Sequence, residues 1–419
     1  MTRSEGLAVL LQGQTMTSFF DRRISRRAFA ALAPLGLAGC VGSGTLLPPG
    51  LVGGETPPPE SPMAPMSGSV VGTGSVRVAL ILPLSGPGHG AVAAQSMRNA
   101  AELALGEFQD PDITLIVKDD RGTPEGARDA ASQAIAEGAE FIIGPLFAGS
   151  VQAAASVARQ SGVPVVAFST DAGVASRGVY LLSFLPQEEV DRIVDYAASR
   201  GKRSVAMLIP ETSYGSVVEA RFSEAVAARG LRIAALERYP GGQPQAAVGR
   251  LRMVIGGASP QADAILIPES AEGLPAVDQA LQSAGFDPRR VKPLGTGVWN
   301  EPRAFSLRSL QGGWFASPDS RGFDAFAARY RARYNSDPVR LATLSFDAVS
   351  LAAALVRTQG TQRFTEGVLT NPAGFAGADG VFRFRSDGTS DRALAVHEIR
   401  DGTLATVSAA PRTLPAPGF

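Results

Sequence analysis

From Val76 the chain reads VRVALILPL, apolar almost without interruption, which is the pattern of a strand buried on both faces. After a Gly-rich turn, AAQSMRNAAELALGEF places Ala94, Met97, Ala101, Leu105 and Phe108 on one side of a helix. The alternation continues with DITLIVKDD as strand, Pro124 to Glu137 as helix, EFIIG as strand, Ser150 to Gln160 as helix and VPVVAF as strand. Strands alternating with helices at this spacing predict a parallel, doubly wound sheet. After YLLSFLP (180–186) the pattern restarts with a helix from Glu188, the strand SVAMLIP, a helix from Tyr214, the strand LRIAALERY, a helix around 246–255, the strand DAILIP and a helix to Ala284. A second α/β unit therefore follows the first. VKPLGTGVW, a strand GGWFAS and helices over 323–334 and 341–356 come next. The end differs, because VFRFRSDGTSDRALAVHEI alternates with period two around Asp387-Gly388, the signature of an antiparallel hairpin.

The region before Val76 carries no such pattern. Residues 16–40 read as an export signal with a basic start (Arg22, Arg23, Arg26, Arg27), an apolar segment from Ala28 and a small-residue finish. SRRAF (25–29) resembles the twin-arginine export motif, and LAGC (37–40) resembles the bacterial lipobox. By that resemblance Cys40 is the lipidation site and the first residue of the mature chain. Pro34, Gly36 and Gly39 argue against the other reading, a buried cysteine closing a core helix. Residues 41–75 are rich in Pro, Gly and Ser and nearly free of charge, so they read as a tether.

Composition narrows the function classes. Equal numbers of basic and acidic residues, 39 of each in 419, point to no polyanion partner, and nucleic acid is not expected. One cysteine allows no internal disulfide, and with only His89 and His397 a His/Cys metal cluster cannot be assembled. No apolar run reaches the ~20 residues of a membrane span, which leaves the lipid on Cys40 as the expected membrane attachment.

Catalytic motifs are missing. GPGHG (86–90) lacks the lysine and hydroxyl of a phosphate loop and reads as a tight turn. There is no G-x-S-x-G elbow, and Asp/Glu pairs are scattered without a spacing that marks an acid/base couple. The expectation is a protein that is not an enzyme and uses neither cofactor nor metal.

LILPLSG (80–86), KDDRGTPEGARDAASQAI (118–135), GPLFAGSVQAAASVA (144–158), GVPVVAFST (162–170), SYGSVVEARFSEAVAARG (213–230) and the closing G-x-F-R-F-x-x-D-G resemble, in order, the type I periplasmic solute-binding proteins of the leucine/isoleucine/valine receptor kind. The resemblance covers 76–405. It implies an α/β type I periplasmic-binding-protein fold, two doubly wound lobes joined by three crossover strands near 183–188, 293–299 and before Val381. The expected first lobe is 76–186 plus 294–376, and the second 187–293 plus 377–408.

LIPETSYGSVVEARFSEAV, DAILIPESAEGLPAVDQALQSAG and SLQGGWFASPD are similar to the receptor-like domain of lipoprotein activators of penicillin-binding proteins. That similarity implies an accessory role in peptidoglycan synthesis, with a penicillin-binding protein as partner, at the periplasmic face of the envelope and by Val41 at the outer membrane. The alternative is a substrate-binding protein that delivers an amino acid or related small polar solute to an ABC permease. Amino-acid receptors place a hydroxyl after the third strand and an acid in the second crossing; by resemblance this chain has Ala148 and Thr296 there.

The remaining cleft candidates are Ser85, Phe147, Ser150, Ser169, Thr170, Tyr214 and Glu269. Ser169 and Thr170 serve equally well as turn caps. Tyr214 could cover lobe surface, and Glu269 reads as a solvated carboxylate at a helix start, where the macrodipole favours it.

Overall fold

The computed structural model describes residues 69–415. Its first sheet contains β1 (Val70–Val71), β2 (Val76–Leu82), β3 (Ile113–Asp119), β4 (Phe141–Ile143), β5 (Val165–Ala167) and β6 (Val179–Leu181), in the spatial order β1-β3-β2-β4-β5-β6. All neighbours pair in parallel except β1, which runs antiparallel along β3. Helices α1 (His89–Gly106), α2 (Pro124–Ala136) and α3 (Ala148–Gln160) connect the strands. The start of α2 shows how the sequence sets such a turn: Thr123 accepts a hydrogen bond from the Gly126 N–H, and Pro124 occupies the first turn, where no donor is lost.

Helix α4 (Pro186–Ser199) leads into a second sheet of β7 (Ser204–Pro210), β8 (Arg232–Tyr239), β9 (Ala264–Leu266), β10 (Lys292–Gly295) and β11 (Trp314–Ser317). Between these strands run α5 (Ser213–Ala228), α6 (Gln245–Ile255) and α7 (Leu274–Ser283). The chain then forms α8 (Ser320–Tyr334) and α9 (Ala342–Gln359), a small antiparallel sheet of β12 (Phe375–Gly377), β13 (Gly380–Phe384) and β14 (Ser390–Arg392), and finally β15 (Ala395–Arg400) and β16 (Thr403–Ser408). β15 lies antiparallel to β11 and closes the second sheet with β16.

Each sheet is covered on both faces, as its apolar strands require. In the first lobe, Met97 and Leu105 of α1 share a core with Phe346 of α9 and Phe382 of β13, while Ala127 of α2 and Val151 of α3 fill the opposite face. In the second, α6 and α7 pack on one face with Trp299, and α4 and α5 on the other.

Three expectations change. Val70 and Val71 pair with Ile116 and Leu115, so the tether expected over 41–75 gives way to sheet at its end; 41–68 and the signal with Cys40 lie outside the described residues. The return to the first lobe, expected from 294 near a 293–299 crossing, comes after Ser317, because both β10 and β11 pair in parallel within the second sheet. The final crossing, expected before Val381 with 377–408 in the second lobe, comes after Arg392: Phe382 and Phe384 belong to the first lobe's core, while Leu394 and Val396 belong to the second's.

Candidate functional site

Parallel strands deliver their carboxyl ends, and the helix starts that follow them, to one edge of each lobe. Space between the lobes is evident in a cavity of about 160 Å³ that Ala172 of the first lobe borders together with Gln187, Glu188, Asp191 and Arg221 of the second. Oxygens of Gln187, Glu188 and Ser390, all at this cavity, are buried without a protein partner.

On the second lobe, β7 ends at Pro210 and Thr212 caps α5 by accepting from the Gly215 N–H at 3.0 Å. The turn is tight: a Cβ on Gly215 would stand 2.1 Å from the Pro210 carbonyl oxygen. It holds Tyr214 at the helix start. Thr296 follows the end of β10, and Gly295 before it lies so close to the Trp299 ring that a Cβ would be 2.2 Å away. Tyr214 Oη and Thr296 Oγ1 share a hydrogen bond of 2.7 Å. Thr296 is therefore a residue of the second lobe, not of a crossing.

A carboxyl group that was not among the candidates completes this cluster. Glu189, in the first turn of α4, accepts the Gly297 N–H on Oε2 at 2.9 Å. Burial holds its carboxyl up to about 8, against the lowering effects of the Gly297 N–H and of Arg340 from the first lobe. Burial and the neighbouring Glu189 likewise push the Tyr214 hydroxyl up. Glu188, beside it, is also raised well above the ordinary range by burial.

The first-lobe candidates stand at strand and helix ends. Ser85 is exposed and donates its N–H to Asp119 Oδ1 at 3.2 Å; Phe147 is 42% exposed at the start of α3, and Ala148 is its half-buried first residue. Ser169 is buried and its hydroxyl accepts from the Asp171 N–H at 3.1 Å, a turn-capping use, while Thr170 is exposed. Ser150 departs from the expectation of a cleft hydroxyl: it is 1% exposed inside the first lobe, near the buried Asp120. Burial pushes Asp120 up to about 6.

Glu269 also departs from expectation. It is not a solvated carboxylate: Tyr239 Oη donates to its Oε2 at 2.5 Å, and the Ser270 N–H donates to its Oε1 at 2.7 Å. Gly273 packs so close that a Cβ would be 2.4 Å from its carboxyl carbon. These partners tie it to β8 and the turn before α7 rather than to Tyr214 and Thr296. Among the described residues, no group of three or more His, Cys, Asp or Glu is arranged to hold a metal ion, and no helix is long and apolar enough to cross a membrane.

The family model described as periplasmic binding protein matches residues 75–403. A Rhodospirillum rubrum protein described as a branched-chain amino acid ABC transporter superposes with a TM-score of 0.70 at 19% identity, over 79% of this chain and 99% of that one. A branched-chain amino acid transporter substrate-binding protein of Streptococcus pneumoniae, solved with isoleucine, gives 0.58 at 19%, over 80% and 99%. An ABC-transporter solute-binding protein of Rhodopseudomonas palustris, solved with 3,4-dihydroxybenzoic acid, gives 0.59 at 20%, over 81% and 97%. At such identities the likeness shows the fold. No curated protein sequence matches the chain.

Proposed function

The chain belongs to the periplasmic binding protein family, and from that premise we propose that it is an exported receptor which closes its two lobes on a small polar solute for an ABC permease. The observation that carries this reading is the polar cluster at the edge of the second lobe, where Tyr214 and Thr296 bond to each other beside the buried Glu189. Such a cluster gives a cleft orienting groups for a solute while its apolar surroundings exclude water. Ser85, Phe147, Ala148, Ser169 and Thr170 are the proposed first-lobe lining. Lipid on Cys40 would keep the receptor at the membrane.

The experiment is a thermal-shift screen of the folded region with free amino acids, aromatic carboxylates and wall fragments. A ligand at 100 times its dissociation constant adds ~2.7 kcal/mol of stability, an upward shift of several degrees. A small solute that raises Tm supports the receptor. The other reading, an activator of a penicillin-binding protein, draws on Ala148 where an amino-acid carrier has a hydroxyl and, by resemblance, on Thr296 where it has an acid. Capture of a synthase from solubilised envelope, without permease subunits and without any solute response, would favour it.

A further inference from the structure

Unmatched polar groups gather around the cavity of about 160 Å³ between the lobes. On the second-lobe side, at the start of α4, Gln187 Oε1 and Glu188 Oε1 are buried with no partner among the described residues. On the other side stands β14, paired with β13 of the first lobe. Ser390 lines the cavity at 2% exposure, and its hydroxyl has no partner. Arg392, two residues on and also buried, leaves the same face of the strand, and its Nε and Nη2 have no acceptor. Acceptors therefore lack donors on α4 while donors lack acceptors on β14. Nearby charges do not resolve this: Asp391 is held by Arg383 at 3.0 Å and by Arg385 at 2.7 Å. Asp347 of α9 takes the Ala378 N–H on Oδ1 at 2.6 Å, and its Oδ2 has no partner although the charge of Arg392 reaches it. The rings of Phe184 and Phe382 pin the Arg392 guanidinium, with centroids 5.2 and 5.5 Å away. Burial holds the Glu188 carboxyl well above the ordinary range, and Arg392 is the leading charge that pulls it down. The two groups sense each other without a hydrogen bond.

We propose that Glu188 and Arg392 form a hinge latch: when the lobes close, the start of α4 moves into the cavity and the Glu188 carboxylate accepts from Arg392 Nε and Nη2. This rests on the proposed closure of the lobes on a solute and adds the contact that holds the closed arrangement. In the arrangement seen here, a protonated Glu188 and a guanidinium covered by ring faces leave little uncompensated charge. Pairing ionises Glu188 and sends its proton to solvent, because the guanidinium offsets what burial costs the carboxylate. The other charges acting on Glu188 are Glu189 on its own helix, Asp391 of β14 and Arg385 at the β13–β14 turn. Arg392 is fixed between its rings, so α4 supplies the movement.

The test is a distance between the lobes, measured by pulsed dipolar EPR on the full chain carrying Cys40→Ser, so that only introduced thiols take the spin label. Val92→Cys on α1 and Met253→Cys on α6 suit the labels, being 60% and 78% exposed in the parent. Distances are recorded without ligand and with whichever solute raises Tm. Glu188→Gln should lower the ratio of closed to open chain, and the solute affinity with it, by at least roughly fivefold. Arg392→Gln should do the same, and the double variant should lose no more than either single one. Asp347→Asn should leave the ratio where it was. A ratio and an affinity unchanged in Glu188→Gln overturn the latch, as does a double variant whose loss is the product of the single losses. An Asp347→Asn loss as large as that of Arg392→Gln also overturns it, by placing the guanidinium's partner inside the first lobe. If Arg392→Gln does not unfold cooperatively, Glu188→Gln decides alone. If no solute binds, the receptor reading falls separately, and an unliganded distance distribution that Glu188→Gln leaves unchanged overturns the latch as well.

Discussion

The guanidinium of Arg392 lies over the ring of Phe184, 5.2 Å from its centroid. Phe184 sits in the first crossing and Arg392 at the entry to the last, so this contact ties two of the three connections between the lobes. Arg340 covers the same ring at 4.6 Å. Cation–π contacts contribute about 0.5–2 kcal/mol each, more when desolvated, and Arg392 is buried. Phe184→Leu keeps apolar volume and removes the ring face, and should cost about 1–3 kcal/mol in urea unfolding. Unchanged stability would remove the ring from the account of the hinge.

Gly388, in the turn between β13 and β14, packs against β6 of the first sheet. Its carbonyl accepts the Leu181 N–H at 2.8 Å, which docks the β13–β14 turn onto the edge of the first sheet. Its φ is +89°, and a Cβ would stand 2.2 Å from the Val179 carbonyl oxygen. Gly388→Ala therefore meets both backbone strain and a backbone clash, and should destabilise by about 2 kcal/mol or more, read as a lower urea midpoint. A midpoint within error of the parent would mean that the turn can move off β6 without loss.

Much of this architecture was legible in the sequence because burial on both faces writes long apolar runs. Every residue of SVAMLIP is buried in β7, and the Asp387-Gly388 turn joins two antiparallel strands as its alternation implied. The lobe boundaries were not legible. Nothing in Lys292–Gly295 or in Trp314–Ser317 tells which sheet each will join, since parallel pairing is a long-range choice. At the site, Tyr214 was among the candidates, but Glu189 was not, since a carboxylate in the first turn of a helix is usually solvated. The available signal was spacing. Glu189 precedes Ile193 by four and Tyr196 by seven residues, which places it on the buried face of α4. Glu269 misled in the same way, because its partner Tyr239 lies on a different strand.

The lipid anchor can be tested apart from the fold. Cys40 lies outside the described residues, ahead of the first of them, Ser69. Each buried methylene of an acyl chain contributes ~0.8 kcal/mol to membrane attachment, so loss of the lipidated thiol removes the proposed anchor whole. Cys40→Ser should move the protein from the membrane to the soluble fraction of exported material, with the thermal unfolding of the folded region unchanged. A variant that still sediments with membranes would show that another segment holds it there.

Asp120 makes stability depend on pH in a direction opposite to the usual salt-bridged carboxylate. Its Oδ1 accepts the Gly122 N–H at 2.8 Å, but Oδ2 is buried without a partner, and burial raises its pKa from 3.8 to about 6. The folded state thus holds the proton more tightly than the unfolded chain does. Its stabilising contribution is complete below about pH 4, falls as pH rises through 6, and is flat above. Asparagine keeps the acceptor for Gly122 and never ionises. The stability of Asp120→Asn relative to the parent should therefore improve by about 1–3 kcal/mol between pH 4 and pH 8, measured as paired urea unfolding curves. A difference that stays constant over that range would place the Asp120 proton equilibrium in the folded protein where it lies in the unfolded one.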